Sequence, residues 1–237
     1  MTSFMRKKFE VNEIEGRLQA AFAGLLASPT KLEPGQFYAE ACEQLAAIQS
    51  GSKDVMAFSR KLKSHRHMEG IAAKAGLFIS AMVATSAEQQ FVISPNGLDK
   101  PLEYIGYENS KELVIIGDAG AHLGFRMTGG SIFVDGDAGT ETGAHMTDGT
   151  IWVQGDAAER AGLFMRGGRI HIRGRAGKDL GHGRVGGTIL VGAHAKSAPV
   201  PASAVMGTGA EAIVAAPMST DSPKPVLGCE PAKLTVS

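Results

Sequence analysis

The sequence predicts a mainly β protein, a short right-handed parallel β-helix of 19-residue coils that follows an N-terminal α-helical domain. Four consecutive copies of one 19-residue pattern run from Glu112 to Gly187, and a fifth copy begins at Thr188 and then dissolves. Apolar residues alternate at the start of each copy, and glycines recur at fixed positions. A fixed period of this kind indicates units that bury their apolar faces against their neighbours.

Each copy begins with a segment typical of a strand with one buried face, because its second and fourth residues are apolar and mostly β-branched. These pairs are Leu113/Ile115, Ile132/Val134, Ile151/Val153, Ile170/Ile172 and Ile189/Val191. A glycine ends each strand, an inward alanine follows two residues later, and further glycines mark the remaining corners. We also expect a second short strand in each coil, with Met127, Met146 and Met165 pointing inward. The whole unit is too short for a strand and a packed helix, so it predicts one coil of a parallel β-helix.

The chain divides into three predicted regions. Residues 1–90 contain few glycines and carry four apolar stripes at helical spacing, which predicts a helical domain or cap of about four helices. The β-helix is expected at 91–195, with an irregular first coil that opens on the strand-like Phe91-Val92-Ile93. Residues 196–237 are rich in Ala, Pro and Ser, and we expect an extended tail there.

Composition limits the classes of function. The 237 residues are 43% hydrophobic and carry equal numbers of acidic and basic side chains, which argues against nucleic acid or a membrane surface as the main partner. No apolar run of about 18 residues and no signal-peptide pattern is present, so we expect a cytoplasmic protein. Cys42 and Cys229 are far apart in the sequence and suggest neither a disulfide framework nor a metal site.

Two patterns in the sequence could suggest a cofactor or metal site, and neither has the context that such a site requires. Residues 181–186 match GxGxxG, but that fingerprint requires a strand before it and a helix after it, and here its glycines are the corner glycines of the repeat. Asp118, Asp137 and Asp156 form a column that could suggest calcium. The period is not that of nonapeptide calcium-binding repeats, and the fourth copy has Arg175 in the column, so we expect these aspartates to accept hydrogen bonds from turn amides. The sequence therefore predicts no catalytic, cofactor-binding or metal-binding residue.

Two features indicate a surface for a protein partner. The first is charge: residues 112–149 carry six acidic side chains against Arg126 alone, whereas residues 150–187 carry seven basic side chains against three acidic ones. The basic end could bind an acidic partner surface or an anionic ligand, or it could be a solvated face. Its candidate interface residues are Arg166, Arg169, Arg173, Arg175 and Arg184.

The second feature is a row of outward side chains between the two buried positions of each strand. It reads Val114, Phe133, Trp152, His171 and Leu190, and we take Phe133, Trp152 and His171 as interface candidates. An apolar row on the outside of a sheet requires a cover. That cover could be the helices of this chain or another subunit.

The copies GDAGAHLGFRMTGG and GDAAERAGLFMRGG resemble the GXGXG β-helix family over about residues 91–195. This family includes the C-terminal domain of the glutamate synthase large chain, the β-helix subunit of formylmethanofuran dehydrogenase, and the bacterial relative of that subunit in the formyltransferase/hydrolase complex. The even 19-residue spacing is more similar to the formylmethanofuran dehydrogenase branch. The resemblance implies a β-helix that is non-catalytic and braces catalytic subunits.

From this resemblance we expect a structural or assembly subunit of a cytoplasmic one-carbon enzyme of the formylmethanofuran dehydrogenase or formyltransferase/hydrolase type. Its partners would be catalytic subunits of the same complex, and this chain itself would hold no cofactor. The alternative is a β-helix subunit of a glutamate synthase-like or N-methylglutamate synthase-like complex. An independent enzyme is disfavoured, because no nucleophile–base pair is evident from the sequence.

Overall fold

The computed structural model describes residues 3–27, 33–95 and 98–192, with side chains from residue 13 onward. The predicted tail at 196–237 lies outside these residues. Helices occupy the first part of the chain and strands the second. The helices are α1 (Ser3–Ala27), α2 (Pro34–Leu45), α3 (Ser52–Arg60) and α4 (Ile71–Thr85), with a 3₁₀ helix at Leu62–His65. The strands are β1 (Gln90–Ile93), β2 (Glu112–Ile115), β3 (Thr128–Val134), β4 (Asp148–Val153), β5 (Arg169–Ile172) and β6 (Thr188–Val191).

The four predicted helices are confirmed, and their apolar stripes meet in an aromatic centre. Phe22 of α1 lies 5.3 Å from Phe58 of α3 and 4.9 Å from Phe78 of α4, measured between ring centroids. Phe22 and Phe78 are fully buried. Among the helices that the structure describes, none is both long enough and apolar enough to span a bilayer.

The six strands form one parallel sheet in sequence order, β1 to β6, and this confirms the predicted solenoid with its 19-residue spacing. The pairing is in register, so that Leu113, Ile132, Ile151, Ile170 and Ile189 follow one another along the stacking axis. All five are at most 1% exposed. The strand alternation inferred from the sequence is therefore correct in every coil.

The predicted second strand in each coil is wrong. The three methionines do point inward and are fully buried, but the segments that lead to them are turns. In the first repeat, His122, Gly124 and Arg126 all have positive φ, at 61°, 64° and 56°, whereas a β-strand requires negative φ. The peptide groups of this turn still form hydrogen bonds to both neighbouring coils. The His122 amide donates to the carbonyl of Thr140 in the next coil, and the Gly124 amide donates to that of Ile105 in the previous coil.

The helical region caps the β1 end of the solenoid and shares one continuous hydrophobic core with it. The buried Ser80 of α4 accepts hydrogen bonds from the amides of Gly106 and Tyr107, at 2.9 and 3.3 Å. Lys111 donates from Nζ to the carbonyls of Val83 (2.8 Å) and Ser86 at the end of α4, and burial lowers the pKa of this lysine. A cap of this kind covers core and backbone groups that an open first coil would expose.

Candidate partner-binding surface

The outer face of the six-stranded sheet carries the row of side chains predicted from the sequence. Parallel pairing aligns its members one above another, because each occupies the same register position in its strand. We call this set the outer row: Val92, Val114, Phe133, Trp152, His171 and Leu190. Every member is half-buried, and Ile116 beside it is 47% exposed. The result is a lateral strip of apolar and aromatic surface.

Trp152 and His171 form the centre of the outer row. Their ring centroids are 3.8 Å apart and the ring planes differ by 10°, which is a stacked pair. Burial lowers the pKa of His171, and the nearby charge of Arg169 lowers it further. Both effects favour the neutral imidazole.

Two of the predicted arginines flank His171 on the same face, since residues 169, 171 and 173 all point outward by strand alternation. Arg169 is exposed, and its side chain makes no hydrogen bond or ion pair with the part of the chain that is described. Arg173 donates from Nη1 to Oε1 of Gln154 at 3.0 Å and remains exposed. The outer face thus combines an aromatic strip with two cationic groups, one at each end of β5.

The described helices do not extend over the outer row beyond β1. Within the described ranges, the helix that packs against a strand is α3, and the strand is β1. No described helix makes more than isolated contacts with β2–β6. Of the two covers considered from the sequence, the helices of this chain are therefore excluded for Trp152 and its neighbours as far as the described helices are concerned.

Arg175 lies next to this face and is engaged within the chain. Oδ1 of Asp156 accepts from the Arg175 amide at 2.7 Å, and Oδ2 pairs with the guanidinium at 2.9 and 3.0 Å. These bonds lower the pKa of the Asp156 carboxyl. Asp118 and Asp137 make the same bond to the amide of the equivalent residue one coil on, at 2.9 and 2.7 Å. The prediction that these aspartates bond turn amides is confirmed, and each bond links two coils.

The other two predicted arginines lie away from the sheet, on the turn side of the solenoid. Arg184 is half-buried and donates from Nη1 to the carbonyl of Gly187. Arg166 is exposed and lines a groove between the turns. The structure therefore brings together Phe133, Trp152, His171, Arg169 and Arg173, and it separates Arg166 and Arg184 from them.

The turn side also carries a chain of side-chain contacts that the sequence analysis missed. Tyr104 stacks on His122, with ring centroids 4.3 Å apart. Nδ1 of His122 lies 3.2 Å from Glu141, and Glu141 pairs with Arg160 at 3.0 Å. Nδ1 of His122 is buried and makes no hydrogen bond with the described chain, although the Glu141 carboxylate lies close to it. The sequence could have indicated these contacts, because residues 122, 141 and 160 occupy the same position in successive repeats.

A groove of about 530 Å³ runs along the turn side. It lies between two columns of equivalent residues, one containing Glu108, Arg126 and His145 and the other containing Thr128, Thr147 and Arg166. Phe125 forms part of its wall. We call this the turn-side groove. Sequence reasoning identified Arg166 but not the neighbours that the coil stacking brings to it.

The metal and GxGxxG motifs considered from the sequence can be compared with the structure. Within the described ranges, no group of three or more His, Cys, Asp or Glu side chains is arranged to hold a metal ion. Residues 181–186 lead directly into strand β6 rather than into a helix, and Gly181 and Gly183 have φ of 65° and 67°, as corner residues do. Comparison of the chain with protein-family models, with curated proteins and with solved structures finds no match.

Proposed function

We propose that this chain is a non-catalytic β-helix subunit of a cytoplasmic multi-subunit enzyme, and that its outer sheet face binds a catalytic subunit. The observation that carries the proposal is the outer row, centred on Trp152 and His171, over which no described helix extends beyond β1. Tryptophan and arginine are the residues most enriched where binding energy concentrates in protein interfaces. Here Trp152 lies one strand from Arg169 and Arg173.

Charge supports an acidic patch on the partner. Arg169 and Arg173 lie at the two ends of β5 on the outer face, and neither pairs with a carboxylate of the described chain. A partner carboxylate placed between them would gain two cationic neighbours. The aromatic strip beside them would supply the apolar area that a stable interface requires.

The setting that we propose is one-carbon metabolism, in a complex of the formylmethanofuran dehydrogenase or formyltransferase/hydrolase type. Its support is the resemblance of the GDAG…MTGG copies to the GXGXG family, together with the even coil spacing. In this proposal the coils wind in the right-handed sense, and the cofactors belong to the partner subunits. A glutamate synthase-like or N-methylglutamate synthase-like complex is the alternative setting.

The test is purification of the tagged full-length chain from its native cells, with identification of co-purifying proteins by mass spectrometry. A metal-dependent amidohydrolase-like partner would support the one-carbon setting, and an amidotransferase would support the alternative. Recovery of the chain alone under low-salt conditions, where surface electrostatics are strongest, would contradict the proposal.

Two variants localise the interface. Trp152→Lys should abolish co-purification, because it places a second charge beside Arg169 and removes the largest ring of the outer row. Phe164→Lys is the matched control, since Phe164 is a 45% exposed aromatic on the turn side. Equal loss of the partner in both variants would move the interface away from the outer sheet face.

A further inference from the structure

The turn-side groove lies away from the outer sheet face, and the proposed function makes no use of it. We propose that it is a binding site for a small organic anion. A phosphate or carboxylate group is held between Arg126 and Arg166, and the apolar part of the molecule lies against Phe125. This site is independent of the docking of a catalytic subunit.

The solenoid builds the groove by repetition. Residues 126 and 145 occupy one repeat position, and residues 128, 147 and 166 occupy another, so the two columns run side by side along the stacking axis. Successive rungs are about 4.8 Å apart, which is close enough for one small molecule to contact two or three coils. The volume of about 530 Å³ falls within the range of small-molecule sites, roughly 300–1,000 Å³.

The charges of the groove favour an anion. Arg126 and Arg166 are both exposed guanidinium groups, against the single carboxylate of Glu108. Glu108 lies 3.4 Å from Nε of Arg126, and the guanidinium also interacts with the Tyr107 hydroxyl, so Arg126 is held at the groove while it stays exposed. Arg166 makes no side-chain hydrogen bond within the described chain. Guanidinium groups bind phosphate and carboxylate through paired donors, which fits this arrangement.

Two hydroxyl groups lie between the arginines. Thr128 donates to the carbonyl of Asn109 at 3.4 Å, and Thr147 donates to that of Met127 at 3.3 Å. Both distances are at the long end for a hydroxyl donor, so these bonds are weak. Each hydroxyl can therefore turn toward an oxyanion in the groove at small cost.

Phe125 provides the apolar contact and is held in place by its neighbours. Its ring stacks on Tyr107 with centroids 5.6 Å apart, and meets His145 edge-on at 5.3 Å. The ring is half-buried. A fixed aromatic wall next to two cations distinguishes an organic anion from a bare inorganic ion, because only the organic molecule gains from the wall.

The test is calorimetric titration of the full-length protein with three probes: inorganic phosphate, phenyl phosphate and benzoate. We expect saturable binding of phenyl phosphate or benzoate, tighter than that of inorganic phosphate. Whichever organic probe binds more tightly identifies the anionic group. Arg166→Gln should weaken that binding about tenfold or more, the effect of losing one charge-assisted hydrogen bond. Phe125→Leu should weaken the binding of the organic probe and leave the binding of inorganic phosphate unchanged.

The matched control is Arg169→Gln, which removes an exposed arginine from the outer sheet face and should leave probe binding within about twofold of wild type. Circular dichroism checks that each variant remains folded. The proposal is overturned if neither organic probe binds up to about 10 mM, a range in which even millimolar affinity is seen. It is also overturned if Arg166→Gln and Arg169→Gln weaken binding equally, or if inorganic phosphate binds as tightly as the organic probes.

Discussion

Trp152 and His171 stack ring on ring, with centroids 3.8 Å apart, because β4 and β5 place them at directly paired register positions. Nineteen residues separate them in sequence, so the contact is a direct product of the repeat period. The imidazole takes the place of an aromatic rung in a row that is otherwise apolar. It also brings a titratable group to the middle of the candidate partner-binding surface.

His171 should titrate below the ordinary histidine pKa of about 6.5, because burial and Arg169 both disfavour its protonated form. Arg169→Gln should raise that pKa, and NMR titration of the ring protons measures it. The native state then binds this proton less readily than the unfolded chain. Stability from this group is complete above the unfolded pKa and is lost as pH falls through the folded one. If the pKa of His171 is unchanged in the variant, the charge of Arg169 does not act on the imidazole.

The emission of Trp152, the single tryptophan, should report on the same stack. His171→Ala uncovers one face of the indole and should shift the emission to the red. Binding of a partner subunit to the outer sheet face should shift the wild-type emission to the blue, since it removes the half-buried ring from water. His145→Ala on the turn side is the control and should leave the spectrum unchanged. A red shift in that control would show that the signal is not local.

Val153→Asp should unfold the solenoid or destabilise it by about 3 kcal/mol or more, because a carboxylate would enter a core position that is 2% exposed. Gln154→Asp, one residue on, points outward and keeps an acceptor for Arg173, so its cost should stay within about 0.5 kcal/mol. Urea denaturation followed by circular dichroism measures both. Equal losses at 153 and 154 would contradict the strand register.

Gly155→Ala should be strongly destabilising although Gly155 does not have positive φ. The reason is the closeness of the previous coil: a Cβ at this position would lie 2.0 Å from Oδ1 of Asp137 and 2.8 Å from the carbonyl oxygen of Gly136. Gly24→Ala is the matched control. Gly24 is an exposed residue of helix α1, and a Cβ added there meets nothing within 4 Å. That change should stabilise by about 0.5–1 kcal/mol. Thermal melts that rank the two variants in the opposite order would refute this account.

Ser80→Ala should weaken the attachment of the helical cap by about 1–3 kcal/mol, since it leaves the buried amide of Gly106 without its acceptor and removes one of the two acceptors of the Tyr107 amide. Ser64→Ala, at an exposed position in the 3₁₀ helix, should change stability by less than about 0.5 kcal/mol. Hydrogen exchange at residues 104–111 would locate the loss. Unchanged protection there in Ser80→Ala would mean that the cap is held by its apolar contacts alone.

The sequence by itself determined the solenoid, its coil length, the register of its strands and the inward residues of every coil. It could do so because a 19-residue period with alternating apolar positions leaves one way to bury them all, against the equivalent residues of the next coil. The amphipathic stripes likewise determined four helices. The outer row followed from the same alternation, and the candidate arginines followed from the difference in charge between the coils.

Tertiary structure decided the rest. The turns were misjudged as strand because non-glycine residues such as His122 and Arg126 take positive φ, which local propensity disfavours and which hydrogen bonds to the neighbouring coils stabilise. The position of the cap depends on Ser80 and Lys111, which meet groups 25 to 28 residues away in sequence. The turn-side groove exists only because stacking aligns side chains of different coils. Its residues share no local motif, so only the packed coils bring Arg126, Thr147 and Arg166 to one cavity.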